Sequence, residues 1–381
     1  MKMDIEKLRA QIDEIDNEIT KLFGKRMEIS NLVAQYKKEN RLTVLDKSRE
    51  REILSRVTEL VEPELEIYTK TLFQTLFNLS RSYQNMLLSE DHPLRQEIGN
   101  TLSNTSDLFP AKAVVACQGV EGAYSQIAAD KLFSLPSIMY FNTFEGVFTA
   151  VEKGLSRYGI LPIENSSHGS VTQVYDLMKK HNFHIVRSLK LKIDHSLLAK
   201  KGSKLSDIKE IFSHEQAIGQ CSAFLEGLKG VKVTVVENTA VAAQKVAESD
   251  RTDIAALSSH NCAELYGLTA LGVDVQDNAN NFTRFICISK NPEIYPGANK
   301  ISLMLSLPHR PGSLYDTISR FSVLGLNLTK LESRPVPEKD FEFMFYFDIE
   351  ASVKADSVVS LLCELASATE QFVFLGNYSE I

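Results

Sequence analysis

Residues 5–40 read IEKLRAQIDEIDNEITKLFGKRMEISNLVAQYKKEN. Ile5, Ile12, Ile19, Arg26 and Val33 recur every seventh residue on one seam position, and Leu8, Ile15, Leu22, Ile29 and Tyr36 on the other. Two interleaved sevens are the signature of helices that pack along a seam. No proline precedes Pro63 and the only early glycine is Gly24. An unbroken helix from Asp4 to Asn40 is therefore predicted, ~55 Å long at its rise per residue. That is too long for a small domain to cover, so the seam is expected to face a second chain. Arg26 stands where the repeat calls for an apolar side chain. A charge on a buried seam is costly unless an anion meets it. Arg26 thus reads either as a ligand for a buried anion or as the polar residue that sets register in an ordinary coiled coil.

Arg9 and Lys37 each follow a seam residue and share a face, but they lie roughly 42 Å apart along one helix. A partner helix reversed about position 23 removes the difficulty, because 9 and 37 are equidistant from it. Arg9 of one chain then lies level with Lys37 of the other, and Gly24 near the centre lets the backbones approach. Two equivalent anion sites per two-fold dimer are expected.

The remainder of the 381 residues suggests two or three domains. The composition is 44% hydrophobic and 24% charged with a net charge of −7, which gives no support for nucleic-acid binding. No apolar run is long enough to span a membrane, and the N-terminus lacks the apolar core of a signal peptide. The five cysteines, at 117, 221, 262, 287 and 363, are scattered and odd in number. They fit a reducing cytoplasm better than a disulfide framework or a zinc site.

Residues 1–90 read as helical throughout. A second helix is expected over Asp46–Val61 with Asp46 as N-cap, and a third over Glu64–Leu88. Ser89–Pro110 reads as a linker that separates the helical domain from the next, with 91–110 as its core. Residues 111–290 alternate short apolar runs with helical ones, an α/β signature. Strands are expected at 113–117, 137–141, 158–163, 208–212, 231–236, 254–257 and 283–289, with helices opening near Ser125, Thr143, Val171, Glu215, Thr239 and Asn261. The extended stretch 184–200 could cross between two lobes. Residues 299–378 read β-α-β-β-α-β, an α+β ferredoxin-like pattern without a cluster of catalytic residue types.

The second helix places Arg49 and Glu50 just after its cap, and the third places Ser80 and Gln84 four apart on one face. With Arg9, Arg26 and Lys37 they make a pocket rich in cations and poor in acids and bases, suited to a dicarboxylate whose reaction needs no proton transfer. On Leu8-Arg9, Arg26, Lys37, Asp46, Arg49-Glu50, Ser80 and Gln84, residues 1–90 resemble the all-helical dimeric chorismate mutases. The resemblance implies rearrangement of chorismate to prephenate. Arg9 of the partner, Arg26 and Arg49 would bind the carboxylates, and Lys37 and Gln84 would donate to the ether oxygen. Glu50 and Ser80 would hold the hydroxyl, and Asp46 would support the pocket. Taken singly, each is more often a solvated surface residue; the joint pattern reverses that.

The central region gathers polar residues at strand ends and helix starts: Gly122-Ala-Tyr124-Ser125, Pro162-Ile-Glu164-Asn165-Ser166, Ser213-His214, Asn238-Thr239 and Asn281-Phe-Thr283-Arg284-Phe285. Helix N-termini that converge on a cleft suit an anion, although Ser and Thr there also serve as simple caps. These motifs resemble prephenate dehydratase over 111–290, whose two-lobed α/β fold is like that of periplasmic solute-binding proteins. The resemblance implies loss of water and CO₂ from prephenate to give phenylpyruvate, with no cofactor and no metal. Thr283 is expected to hydrogen-bond the departing hydroxyl, with Glu164, His214 or water completing the relay. Tyr124, Ser125, Asn165, Ser166, Ser213, Thr239 and Phe285 are expected at the substrate. Arg284 either binds a carboxylate or, because strand alternation turns it away from Thr283, is structural unless the backbone bends there.

Residues 299–378 resemble ACT regulatory domains through Arg310-Pro-Gly312-Ser313-Leu314 and Glu332-Ser333-Arg334-Pro335. In the dehydratase family these segments bind phenylalanine. Removal of 299–381 is expected to abolish phenylalanine sensitivity and spare dehydration. The expected whole is a cytoplasmic homodimeric enzyme of phenylalanine biosynthesis, acting on chorismate and prephenate. The alternative is a mutase fused to a non-catalytic amino-acid-binding regulatory module. A nicotinamide site is unsupported, because no G-x-G-x-x-G follows any strand.

Overall fold

The computed structural model describes residues 5–40, 42–88, 91–309, 311–336 and 343–381. Asp4, Ser89 and Arg310, used in the sequence reading, lie outside them. The chain forms two compact units. One comprises residues 1–103 and 303–374, the other 104–302 and 375–381.

In the first unit, helix α1 (Ile5–Glu39) packs along α3 (Glu66–Leu88). The heptad does not make this contact. Ser30 and Ala34 are the buried positions of α1, with Phe23, Arg26, Met27 and Lys37 half-buried on the same side. The seam itself stays open: Ile15 is 58% and Leu22 62% exposed. The helix therefore has two apolar faces, and Arg26 lies where they meet. Helix α2 (Lys47–Thr58) begins where the Asp46 carboxylate accepts from the Arg49 N–H at 3.0 Å, satisfying an orphan donor of the first turn. Pro63 opens a short 3₁₀ turn, Pro63–Leu65, that leads into α3.

The expected linker is in large part a helix, α4 (Pro93–Asn104). Its polar composition masked two facts. Pro93 stands at the first helical position, where proline is favoured, and Leu94, Ile98 and Thr101 fall at helical spacing and are buried. Arg95 reaches Asp356 and, at 2.7 Å, Ser360 Oγ.

The second unit has two lobes. In chain order the first contains β1 (Lys112–Gln118), α5 (Tyr124–Leu132), β2 (Leu135–Phe141), α6 (Phe144–Glu152), β3 (Tyr158–Asn165), β4 (Gly169–Ser170), α7 (Thr172–Met178) and β5 (His184–Lys192). The second contains β6 (Ser196–Ala199), β7 (Glu210–Ser213), α8 (Glu215–Gln220), α9 (Ser222–Glu226), β8 (Lys232–Val235), α10 (Thr239–Glu248), β9 (Ile254–Ser258), α11 (Asn261–Leu265) and β10 (Thr269–Gly272). Strand β11 (Phe282–Ser289) then returns to the first lobe. The sheets are ordered β2-β1-β3-β11-β5, with β4 on β3, and β10-β6-β9-β7-β8. The stretch 184–200 does cross: β5 ends in one sheet and β6 begins in the other. Strand β9 is buried at all five positions, as a central strand covered on both faces requires. Strands β4 and β10 and helix α9 escaped the sequence reading because two to five residues hold too little of either period to register.

The C-terminal sheet contains β12 (Lys300–Ser306), β13 (Asn327–Pro335), β14 (Phe343–Glu350) and β15 (Phe372–Tyr378), with helices α12 (Ser313–Val323) and α13 (Asp356–Ala368). Its order, β13-β14-β12-β15, is the ferredoxin-like arrangement expected from the β-α-β-β-α-β reading.

Candidate active sites

The first site is a cavity of about 300 Å³ lined by Arg26, Lys37, Asp46, Arg49, Glu50, Ser80 and Gln84, with Ser30, Phe77 and Arg81 among its other walls. Seven of the eight residues expected from sequence thus converge. The eighth, Arg9, does not line it, and its exposed guanidinium pairs with Glu6 at 2.8 Å. Helix α3 supplies one wall, because Phe77, Ser80 and Gln84 recur at helical spacing and are buried. Arg26 donates to Ser80 Oγ and, at 3.3 Å, to the Leu76 carbonyl, while Ser30 Oγ approaches Ser80 Oγ at 3.3 Å. Lys37 Nζ donates to the Val44 carbonyl at 2.5 Å and to Gln84 Oε1 at 3.5 Å. Burial pulls the Lys37 ammonium below its ordinary pKa, and Asp46 and Glu50 oppose that. Burial likewise lowers Arg26. Both are cations that would gain from an anion.

Arg81 was not singled out from sequence. Its guanidinium bridges Glu50 and Asn78, so one of the two acids of the pocket is held by a cation one position beyond Ser80. A neighbouring cavity of about 880 Å³ in the same unit shares Val44, Glu50, Phe77 and Arg81 with the first and is also lined by Gly312, Ser313 and Thr317. Gly312 has φ of +84°, a conformation glycine adopts without penalty, and it delivers the chain into α12. Ser313 is buried at the head of that helix. Leu314 and Glu332–Pro335 do not line this cavity. The latter form the end of β13 at the edge of the sheet.

The second site is built on the facing ends of β3 and β11. Thr283 pairs with Asn165 in register, and Asn165 Nδ2 donates to Thr283 Oγ1 at 3.0 Å and to Asn281 Oδ1 at 2.8 Å. Asn165 Oδ1 accepts from the Ser167 and His168 N–H groups at 2.9 and 3.0 Å. Ser166 Oγ donates to the Asn280 carbonyl and accepts from the Phe282 N–H, both at 2.9 Å. Asn165 and Ser166 therefore fix the loop that presents Thr283. Glu164 stands opposite Arg284 in the ladder. Tyr124 donates to the Asp194 carbonyl at 2.5 Å, and burial pushes its phenol up. His214 caps α8, its Nδ1 accepting from the Gln216 N–H at 3.3 Å. Burial lowers its pKa against the pull of Glu215. Thr239 opens α10 behind the Asn238 cap.

Four expected substrate contacts have other partners. Ser213 is fully buried and donates to the Leu257 carbonyl at 2.8 Å, tying β7 to β9. Ser125 is buried, and its carbonyl accepts from the Cys117 thiol. Phe285 lies in the hydrophobic core of the first lobe. Arg284 is buried with its guanidinium on Glu380 and Tyr378, both at 2.7 Å. Strand alternation turns it from Thr283, and these two partners occupy its guanidinium. A chain of polar contacts between the lobes was missed: Gln220 meets His168 Nδ1 at 3.2 Å and His195 Nε2 at 2.8 Å. Its members are far apart in sequence and follow no period. Among the described residues no group of three His, Cys, Asp or Glu could hold a metal ion, and no helix is long and apolar enough to cross a membrane.

Comparison with known proteins agrees with this division. A family model described as chorismate mutase type II matches residues 8–85, and one described as prephenate dehydratase matches 115–293. The bifunctional chorismate mutase/prephenate dehydratase of Escherichia coli (strain K12) is 31% identical over 381 residues, covering 97% of this chain and 95% of the relative. An arogenate dehydratase/prephenate dehydratase 2 of Arabidopsis thaliana is 36% identical over 314 residues, covering 79% of this chain and 82% of the relative. Among solved structures, a prephenate dehydratase from Arthrobacter aurescens in complex with L-Phe is 28% identical with a TM-score of 0.64, covering 70% of this chain and 89% of that one.

Proposed function

The chain belongs to the bifunctional chorismate mutase/prephenate dehydratases of phenylalanine biosynthesis, and on that premise we propose how its residues divide the two reactions and their control. In the helical cavity Arg26 and Arg49 bind the two carboxylates of chorismate and hold it in the reactive diaxial shape. Lys37 and Gln84 donate to the ether oxygen, which gains negative charge as the C–O bond breaks. Glu50 and Ser80 take the hydroxyl, and Asp46 supports the wall. The observation that carries this reading is the convergence of these residues on one cavity. Arg9 completes the site from a second copy of the chain, joined through the exposed seam of α1, so the active form is a homodimer.

In the cleft, Asn165 occupies a lone pair of Thr283 Oγ1, which leaves the threonine proton free to point at the departing ring hydroxyl of prephenate. The C–O bond breaks, CO₂ leaves with its electron pair moving into the ring, and the product is phenylpyruvate. One proton is taken up to make water. Threonine is too weak an acid to supply it alone, and Glu164, His214 or solvent delivers it. The domains run 1–90 for the mutase, 111–290 for the dehydratase and 299–378 for an ACT regulatory domain. The turn at Gly312 and Ser313 receives phenylalanine together with Leu314 and the Glu332–Pro335 segment where two copies of the domain pair. The five cysteines are free and buried, which supports a cytoplasmic enzyme. The test is formation of phenylpyruvate from chorismate without added nicotinamide. Accumulation of prephenate with no phenylpyruvate would refute the second activity.

A further inference from the structure

Beyond β15 the backbone of residues 379–381 is paired. The Ser188 and Lys190 N–H groups donate to the carbonyls of Ser379 and Ile381 at 3.0 and 2.9 Å, and the Ile381 N–H returns a bond to Ser188 at 3.0 Å. The last residues thus lie parallel on β5, the edge strand of the sheet that carries Thr283. Gly376 makes the approach possible: a Cβ there would stand 2.2 Å from the Ile185 carbonyl oxygen. The Glu380 carboxylate is the point of convergence. It meets Arg284 at 2.7 Å, Lys300 at 2.8 Å, Lys190 at 3.0 Å and Ser188 Oγ at 3.2 Å. Arg284 also donates to Tyr378 at 2.7 Å, so two tail residues hold the side chain next to Thr283. Burial opposes the charge on Glu380, but Lys300, Arg284 and Lys190 outweigh it and hold its carboxyl down at about 2.

The pairing of β11 with β3 is irregular at this place: the register shifts between Arg284 and Phe285. Thr283 itself is paired with Asn165, and the break falls just beyond its neighbour Arg284, so the ladder stops holding β11 at the residue that Glu380 holds. We propose that Glu380 is the positioning residue of the dehydratase: by holding Arg284 on the far face of β11 it sets the Thr283 hydroxyl, and β15 carries a change in the regulatory sheet to that point. The inference rests on the assignment of Thr283 to the leaving hydroxyl. It replaces the expectation that 299–381 can be removed without loss of dehydration, because that cut removes Glu380.

The experiment uses the full chain with Glu380→Gln. Removing one partner of a buried ion pair leaves the other charge uncompensated, so Arg284 should shift and take Thr283 with it. The dehydratase kcat should fall about tenfold with KM for prephenate within about twofold, and Glu380→Asp should recover most of it. Inhibition by phenylalanine should weaken, and mutase turnover, whose site lies in the other unit, should stay unchanged. Normal kcat with normal inhibition overturns the proposal. Hydrogen exchange on the unmodified chain keeps it falsifiable if the variant misfolds: phenylalanine should alter protection over 185–192 and 280–286 together, and no change over 185–192 overturns it. If Thr283→Val keeps full dehydratase activity, the assignment of Thr283 fails, whatever Glu380→Gln does.

Discussion

Replacing Thr283 with valine removes one hydroxyl and keeps the β-branched shape that β11 needs. The stability effect can be bounded from the contacts. Asn165 Nδ2 loses an acceptor at 3.0 Å but keeps Asn281 Oδ1 at 2.8 Å and the Phe282 carbonyl at 3.3 Å, so no buried donor is orphaned. The loss should be about 1 kcal/mol, small against the roughly 5–15 kcal/mol of a typical fold. The activity effect is larger. A hydrogen-bond donor aimed at charge that develops on a leaving oxygen contributes about 10²- to 10³-fold. The expected result is that fall in dehydratase kcat, with Thr283→Ser close to wild type and chorismate rearrangement untouched. Coupled assays on chorismate and prephenate, beside thermal unfolding, separate the two effects. Dehydratase turnover within about threefold of wild type in a folded Thr283→Val protein would refute the role, as would equal loss of both activities.

Lys37→Ala should lower mutase turnover by about 10³-fold while circular dichroism and prephenate dehydration remain normal. Arg81→Met should raise KM for chorismate about tenfold, since Glu50 loses the guanidinium that orients it; steady-state kinetics measure this. Ile15→Glu on the open seam should shift sedimentation from dimer to monomer and abolish mutase but not dehydratase activity, because Arg9 is then withdrawn from its neighbour's cavity. The Glu380 carboxyl is depressed from 4.5 to about 2 in the folded chain. Its stabilisation is complete above the unfolded value and is lost as pH falls through about 2. Denaturant unfolding should therefore show wild type more stable than Glu380→Gln by up to ~3 kcal/mol at pH 6, with the gap closing towards pH 2.

The seven-residue period of α1, the Asp46 cap, the shared face of Ser80 and Gln84 and the alternation of strand and helix through the central region were all legible in the sequence. Each depends on neighbours at fixed short spacing, so each leaves a period or a local signature that composition cannot hide. The motifs Asn165-Ser166 and Asn281–Thr283 could be recognised too, although their union through one Asn165 amide is a tertiary fact. Other features had no such trace. Helix α4 looked like a linker because its buried face of Leu94, Ile98 and Thr101 has meaning only against a partner surface. Arg26 looked like a member of one stripe until α3 showed that α1 has two. Arg81 finds Glu50 on another helix, and Arg284 finds Tyr378 at a separation of 94 residues. Contacts of that kind are decided by which surfaces meet after the backbone has formed. Two side chains that share only a buried place have no spacing in common, so only the folded chain could assign Arg284 to the C-terminal tail.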